Sequence, residues 1–250
     1  MCIRDSGIPG EKILLNGDIL NIDITVILDG WHGDTSRMFW VGKPSIKAIK
    51  LIETTFEAMW RGIKVVKPGA TLGDIGFAIQ NFAEKKGYSV VRDFCGHGIG
   101  RVFHDSPSVL HYGNKNEGIK LKEGMFFTIE PMINVGKFDV KILSDGWTAV
   151  TRDKSLSAQF EHTIGITDKG NEIFTLSQNN SDLISFQMAP TGGEYVLLAP
   201  GKKLPDSISH WRMIKNSGVV PMIGAALSNP SYCAGASPIT RGAMRLILSI

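Results

Sequence analysis

The chain has 250 residues, 43% hydrophobic and 20% charged, which is enough for one large core or two modest ones. The N-terminus MCIRDSGIPG has no apolar core for a signal peptide, and the tail run GVVPMIGAALSNP is short and broken by proline, so a cytoplasmic protein without a membrane span is expected. The net charge of +3 sits in the tail: residues 1–176 balance 21 Lys and Arg against 21 Asp and Glu, whereas 177–250 hold six against three, too dispersed for a nucleic-acid patch.

In chain order, DILNIDITVILDGWHGDTSRMFWVG alternates apolar and polar residues on both sides of Asp29-Gly30, the signature of a β-hairpin. In IKAIKLIETTFEAMWRGIKVV, Ile49, Ile52, Phe56, Met59 and Ile63 recur at helical spacing and predict an amphipathic helix. A second helix follows KPGA, with Thr71 and Asp74 as a capping box, a stripe of Leu72, Ile75, Ile79 and Phe82, and Gly87 at its end. Strand-like runs occupy 88–94, 125–134, 147–151, 159–167 and 172–175. Antiparallel sheet with helices packed on it makes an α+β domain. Six of the eleven prolines fall beyond residue 176, so 177–250 reads as a separate basic, proline-rich tail with no assigned role.

The hairpin fixes a register. With Asp29-Gly30 as a two-residue loop, Leu28 faces Trp31 and Thr25 faces Asp34, so Asp23 and Asp34 become diagonal neighbours on one face, roughly 7 Å apart at the backbone. Asp23 lies between Ile22 and Ile24, an expensive place for an uncompensated charge. Glu130 interrupts MFFTIEPMI and Glu161 interrupts AQFEHTIGI in the same way. Any one of these acids alone would read as a salt-bridged or strand-edge residue. Four of them, with His97 on a glycine-rich turn in CGHGIGRVFH, point to metal binding. Asp23, Asp34, His97, Glu130 and Glu161 suit two divalent ions such as Mn, Fe, Co or Zn sharing bridging carboxylates.

Other candidates read as structural. His162 follows Glu161 on a strand and so points to the opposite face. His32, His111 and His210 have no acidic or glycine context that singles them out. Cys2, Cys95 and Cys233 are odd in number and scattered, which argues against disulfides and thiolate metal sites, and Cys95 reads as a small buried residue.

Together NIDITVILDGWHGDTSRMF, CGHGIGRVFH, FTIEPMIN and DGWTAVTRDKSLSAQFEHTI resemble the type I methionine aminopeptidases, continuously from about Gly7 to about Leu176. The resemblance implies the pita-bread fold, two pseudo-symmetric αβ halves around a dinuclear metal site. It implies removal of the initiator methionine from nascent chains with a small second residue, by a hydroxide held between the ions. Asp23 would then chelate one ion, His97 and Glu130 the other, and Asp34 and Glu161 would bridge them. Glu130 would also act as general base and proton shuttle, His104 would hydrogen-bond the substrate, and Phe103 and Trp147 would wall the methionine pocket. Nascent polypeptide N-termini would be its partners, with ribosome contact left open, and a monomer with no nucleic-acid or membrane partner is expected.

Departures from the family pattern carry expectations of their own, one at the N-terminus and one in the tail, since the pattern ends just after NEIFTL. The N-terminal segment that precedes the hairpin in family members is expected to be lacking here. Where the family has Cys-His-Gly-Ile-Pro, this chain has Asp5-Ser6-Gly7-Ile8-Pro9, and serine does not replace an imidazole that contacts substrate. Two other readings stand beside the first, a proline-directed peptidase of the same fold and a non-catalytic pita-bread binding module. The wording of CGHGIGRVFH and SLSAQFEHT favours the methionine enzyme, and the presence of all five ligands speaks against the binding module.

Overall fold

The computed structural model describes residues 14–176, together with the backbone of 186–191, 194–197 and 243–249. The hairpin forms as its alternation predicts, from β1 (Ile19–Leu28) and β2 (Trp31–Val41). Leu28 pairs with Trp31, Thr25 with Asp34 and Asp23 with Ser36. Asp29 and Gly30 both take positive φ, 51° and 80°, the conformation that a type I′ turn demands.

Two helices follow. In α1 (Ile46–Lys64), Ser45 caps the N-terminus by accepting from the Ala48 N–H, and Arg61 and Lys64 sit in the last turn, where cations favour the helix dipole. Its buried face is wider than the five-residue stripe of the sequence reading. Ile52, Met59 and Ile63 are buried with Ala48, Leu51, Thr55, Ala58 and Gly62, while Ile49 and Phe56 lie half-buried at its margin. The second helix, α2 (Leu72–Lys85), starts with the Thr71/Asp74 capping box. It crosses α1 at Gly62, where a Cβ would stand 2.7 Å from Ile79 Cδ1.

The remaining strands are β3 (Ser89–Val90), β4 (Gly96–Gly98), β5 (Asp105–Val109), β6 (Phe126–Ile129), β7 (Met132–Asn134), β8 (Val140–Ile142), β9 (Ala149–Thr151), β10 (Ser157–Gln159), β11 (Glu161–Thr167) and β12 (Gly170–Ile173). Backbone strands β13 (Phe186–Thr191), β14 (Glu194–Leu197) and β15 (Ala243–Ser249) complete the description. The main sheet runs β14-β13-β2-β11-β6-β4-β5, with β1 joined to β2 and β15, and β12 to β11. β10, β7 and β3 form a second sheet, and β8 with β9 a two-stranded ribbon. Both helices pack into a core whose fully buried members include Leu51, Ile79, Phe127, Ile129 and Phe160.

The sequence expectations differ from this arrangement in several places: 88–94 holds only the two-residue β3, 147–151 begins as strand at Ala149, and 172–175 is met by β12 from Gly170. The run 125–134 is two strands rather than one, because Pro131 offers no N–H to continue the ladder past Glu130. The run 159–167 breaks at Phe160, with β10 in the second sheet and β11 in the main one. His97 stands in the short strand β4 rather than on a turn, and β5 pairs with β4 through Asp105, Ser108 and Val109, with a register shift between His97 and Gly98. No helix among the described residues is long and apolar enough to cross a membrane.

Candidate metal centre

The register of the main sheet places the expected ligands. Asp23 on β1 and Glu161 on β11 both pair with Ser36 on β2, so the three residues form one row across adjacent strands. His162 pairs with Ile129, which sets Glu130 opposite Glu161 just beyond the β6 ladder. One pleat further along runs a second row on the same face. There Thr25 pairs with Asp34, and Thr163 pairs with Thr128. The row ends at His97 on β4, which Gly98↔Phe127 pairing brings beside Thr128. Two rows two residues apart share one face because strand side chains alternate.

The side chains converge accordingly. Ligand atoms of Asp34, His97 and Glu161 all lie within 4.8 Å of one another. His97 Nε2 stands 3.9 Å from Asp34 Oδ2 and 3.7 Å from Glu130 Oε1. Asp23 shares the face by register but falls outside this tight group. Asp34 and Glu161 are only 4% and 2% exposed.

Burying several carboxylates together without a cation costs several kcal/mol per charge. A divalent ion removes that cost, so the donor set fits a metal. The histidine is prepared for it as well. His97 Nδ1 donates to the Gly98 carbonyl at 3.0 Å, and because a carbonyl only accepts, the neutral ring carries its proton on Nδ1 and turns the Nε2 lone pair to the carboxylates.

Glycine on each side of His97 has a steric cause. A Cβ on Gly96 would collide with the Thr128 carbonyl oxygen, and one on Gly98 with that of Ser106, so β4 could not lie this close to β6 and β5.

A layer of hydrogen bonds holds the ligands. Thr25 Oγ1 donates to Asp34 Oδ1 at 2.9 Å. Thr163 Oγ1 accepts from the Asp34 N–H at 2.9 Å and donates to its carbonyl at 2.8 Å. Gln159 Nε2 donates to Glu130 Oε2 at 3.2 Å, and Asn21 Nδ2 holds the Gln159 carbonyl. The Glu130 N–H donates to His111 Nε2 at 3.0 Å. Burial alone pushes the fully buried His111 down to about 3, so it stays neutral and keeps this acceptor.

Sequence reasoning passed over His111 because its partner is a backbone N–H 19 residues away, which no local pattern marks. Gln159 was findable, since it precedes Glu161 by two positions.

The residues implied for substrate fall in two places. The rings of His104 and His97 are 4.4 Å apart, and Phe103 packs on both His104 and His32. Burial holds His104 below the ordinary histidine value, with the His32 charge adding to the effect. Trp147 lies in the turn between β8 and β9, its N–H held by Asp145 Oδ1, and the β8–β9 ribbon is separate from the sheet that carries the ligands. His162 is buried on the far face, with Nδ1 2.7 Å from Thr175 Oγ1 and its ring against Trp60. Cys95 is half-buried, and desolvation raises its thiol above the ordinary value. Ser6, Cys2, Cys233 and His210 lie outside the described residues.

Residues 3–168 match metallopeptidase family M24. The chain belongs to that family. It is 67% identical to the methionine aminopeptidase of Rickettsia prowazekii (strain Madrid E) over 178 residues, covering 70% of this chain and 68% of that one. It is 55% identical to the methionine aminopeptidase of Escherichia coli (strain K12) over 176 residues, 70% of this chain and 67% of that one. The crystal structure of the Rickettsia prowazekii enzyme superposes with a TM-score of 0.67, covering 68% of this chain and 69% of that one at 67% identity. The prolidase from Pyrococcus horikoshii OT3 superposes less well, with a TM-score of 0.53 at 26% identity over 68% of this chain and 43% of that one. These M24 neighbours share the pita-bread fold, here built as a curved, mainly antiparallel sheet with two described helices on it. Divalent-metal use comes with membership of a metallopeptidase family.

Proposed function

We propose that this chain is a metalloaminopeptidase that removes the N-terminal initiator methionine from nascent proteins with a small second residue. The observation that carries the reading is the meeting of Asp34, His97 and Glu161 on one buried face, in a chain 67% identical to a methionine aminopeptidase across that region. Residues 1–176 form the catalytic domain, acting in the cytoplasm on nascent N-termini, and residues 177–250 are left without a role.

The site would hold two divalent ions, drawn from Co, Mn, Fe or Zn. Asp23 would bind one, His97 and Glu130 the other, with Asp34 and Glu161 shared. Metal bound there would supply a lowered pKa for water and polarisation of the scissile carbonyl. The protein's own groups do the rest. Glu130, with a donor on each carboxylate oxygen, takes and returns the proton of the attacking water. His104, kept neutral by burial at neutral pH, has one donor and one acceptor nitrogen for the peptide backbone. Phe103, stacked on His32, and Trp147 from the β8–β9 ribbon supply apolar walls for the methionine side chain.

Competition between substrates tests the reading. The full chain, supplied with Mn or Co, should release methionine from Met-Ala-Ser and leave Xaa-Pro dipeptides intact. Cleavage confined to Xaa-Pro would make it a proline-directed peptidase, and metal binding with cleavage of neither would make it a binding module.

A further inference from the structure

Thr128 lies on β6 between the strands that carry His97 and Glu161, and it is fully buried. Its hydroxyl accepts from the His97 N–H at 3.0 Å and donates to Glu130 Oε1 at 2.7 Å. A hydroxyl has one proton and two lone pairs. With a lone pair taken by the His97 amide, its proton goes to the carboxylate. That carboxylate oxygen is the one 3.7 Å from His97 Nε2. One hydroxyl therefore fixes the backbone of one ligand and the carboxylate of another, across two strands. Its cross-strand partner Thr163 holds Asp34 by the backbone in the same row.

We propose that Thr128 is a positioning residue of the metal centre, whose hydroxyl sets the separation of His97 and Glu130 and so the affinity and geometry of the ion they share. The inference rests on the metal-site reading given above. Thr128 would touch neither ion nor substrate and acts only through the two ligands. Valine at this position keeps the branched shape and β-preference but can neither accept from the His97 N–H nor donate to Glu130. Serine keeps the hydroxyl and loses only the methyl group.

The test is calorimetric titration of the metal-free full chain with Mn and Co, together with the visible absorption spectrum of the Co form, on folded samples well below their melting points. Thr128→Val and Thr128→Ala should bind the ions about 10–100-fold more weakly and shift the Co bands, whereas Thr128→Ser stays within a few-fold of the wild type with its spectrum retained. Serine and alanine both lack the methyl group, so their difference isolates the hydroxyl should the valine variant not fold. Thr55→Val serves as the structural control. Thr55 is equally buried and bonds only the Leu51 carbonyl, so its variant should lose stability without change in affinity or spectrum.

Wild-type affinity and spectrum in folded Thr128→Val or Thr128→Ala, with binding lost in His97→Ala, would overturn the inference and leave the metal site standing. Equal, weak binding by wild type and His97→Ala would instead sink the metal-site reading, and this inference with it.

Discussion

His111 shows how one atom can govern behaviour that the sequence hides. Its Nε2 accepts from the Glu130 N–H, and burial holds its pKa at about 3, against 6.5 in a free histidine. Between those values the unfolded chain binds the proton and the folded chain does not. Stability is therefore greatest above about pH 6.5 and falls as pH drops toward 3, by up to about 1.4 kcal/mol per pH unit from this group. Denaturation at about pH 7.5 and about pH 5 should show the wild type losing roughly 2 kcal/mol more than His111→Gln, and parallel losses would contradict the assignment.

The same scale divides what the sequence discloses from what it hides. Asp23, Glu130 and Glu161 were legible as candidates because a charged residue inside an apolar run is locally anomalous, and Asp34 only through the hairpin register. His111, Thr128 and Thr163 were not, because a buried threonine is ordinary in a strand and their partners come from other strands. Pairing across strands depends on register, and only the hairpin register could be counted from its own turn.

At the scale of elements, local chemistry was most readable where it acts within a few residues. The α2 capping box forms as its Thr71/Asp74 spacing predicts, with the Thr71 N–H donating to Asp74 Oδ2 at 2.8 Å and the Asp74 N–H donating to Thr71 Oγ1 at 3.2 Å. Asp74 Oδ1 also accepts from the Asn116 N–H, tying the helix start to a distant loop. Backbone bonds from Asn116 and then Thr71 hold its carboxyl below the ordinary aspartate value. The stabilisation is present above the unfolded value near 3.8 and is lost as pH falls through the lower folded one.

Thr71→Ala should cost about 1 kcal/mol, and Asp74→Asn should lose stability near neutral pH yet converge on the wild type in acid. Equal differences at both pH values would contradict the carboxylate's part in the cap. Short strands were the least readable elements. β4 is three residues with two glycines, and such a strand exists because its neighbours accept it rather than because its own residues prefer it.

For the whole molecule, the candidate ligands come from β1, β2, β4 and β11 and from the end of β6, so bound ions would tie together strands that are far apart in sequence. A ligand that binds only the folded chain stabilises it by about 2.7 kcal/mol at a hundred times its Kd. Mn or Co at that level should raise the melting temperature by about 5–10 °C, with no rise in His97→Ala; equal rises in both would place the ions elsewhere. The α+β class, the hairpin and both helices were readable from the sequence at this scale. The order of strands in the main sheet, and the separation of β10 and β7 into another, were not, since no local signal says which strand a neighbour in space will be.

Methionine release from Met-Ala-Ser by the metal-free full chain, before and after Mn or Co is added, tests the central claim most directly. Release should depend on the added ion and fall by about a thousandfold in His97→Ala, several kcal/mol of lost transition-state stabilisation. A folded chain that binds the ions and releases no methionine, or release that survives loss of His97, would contradict the claim.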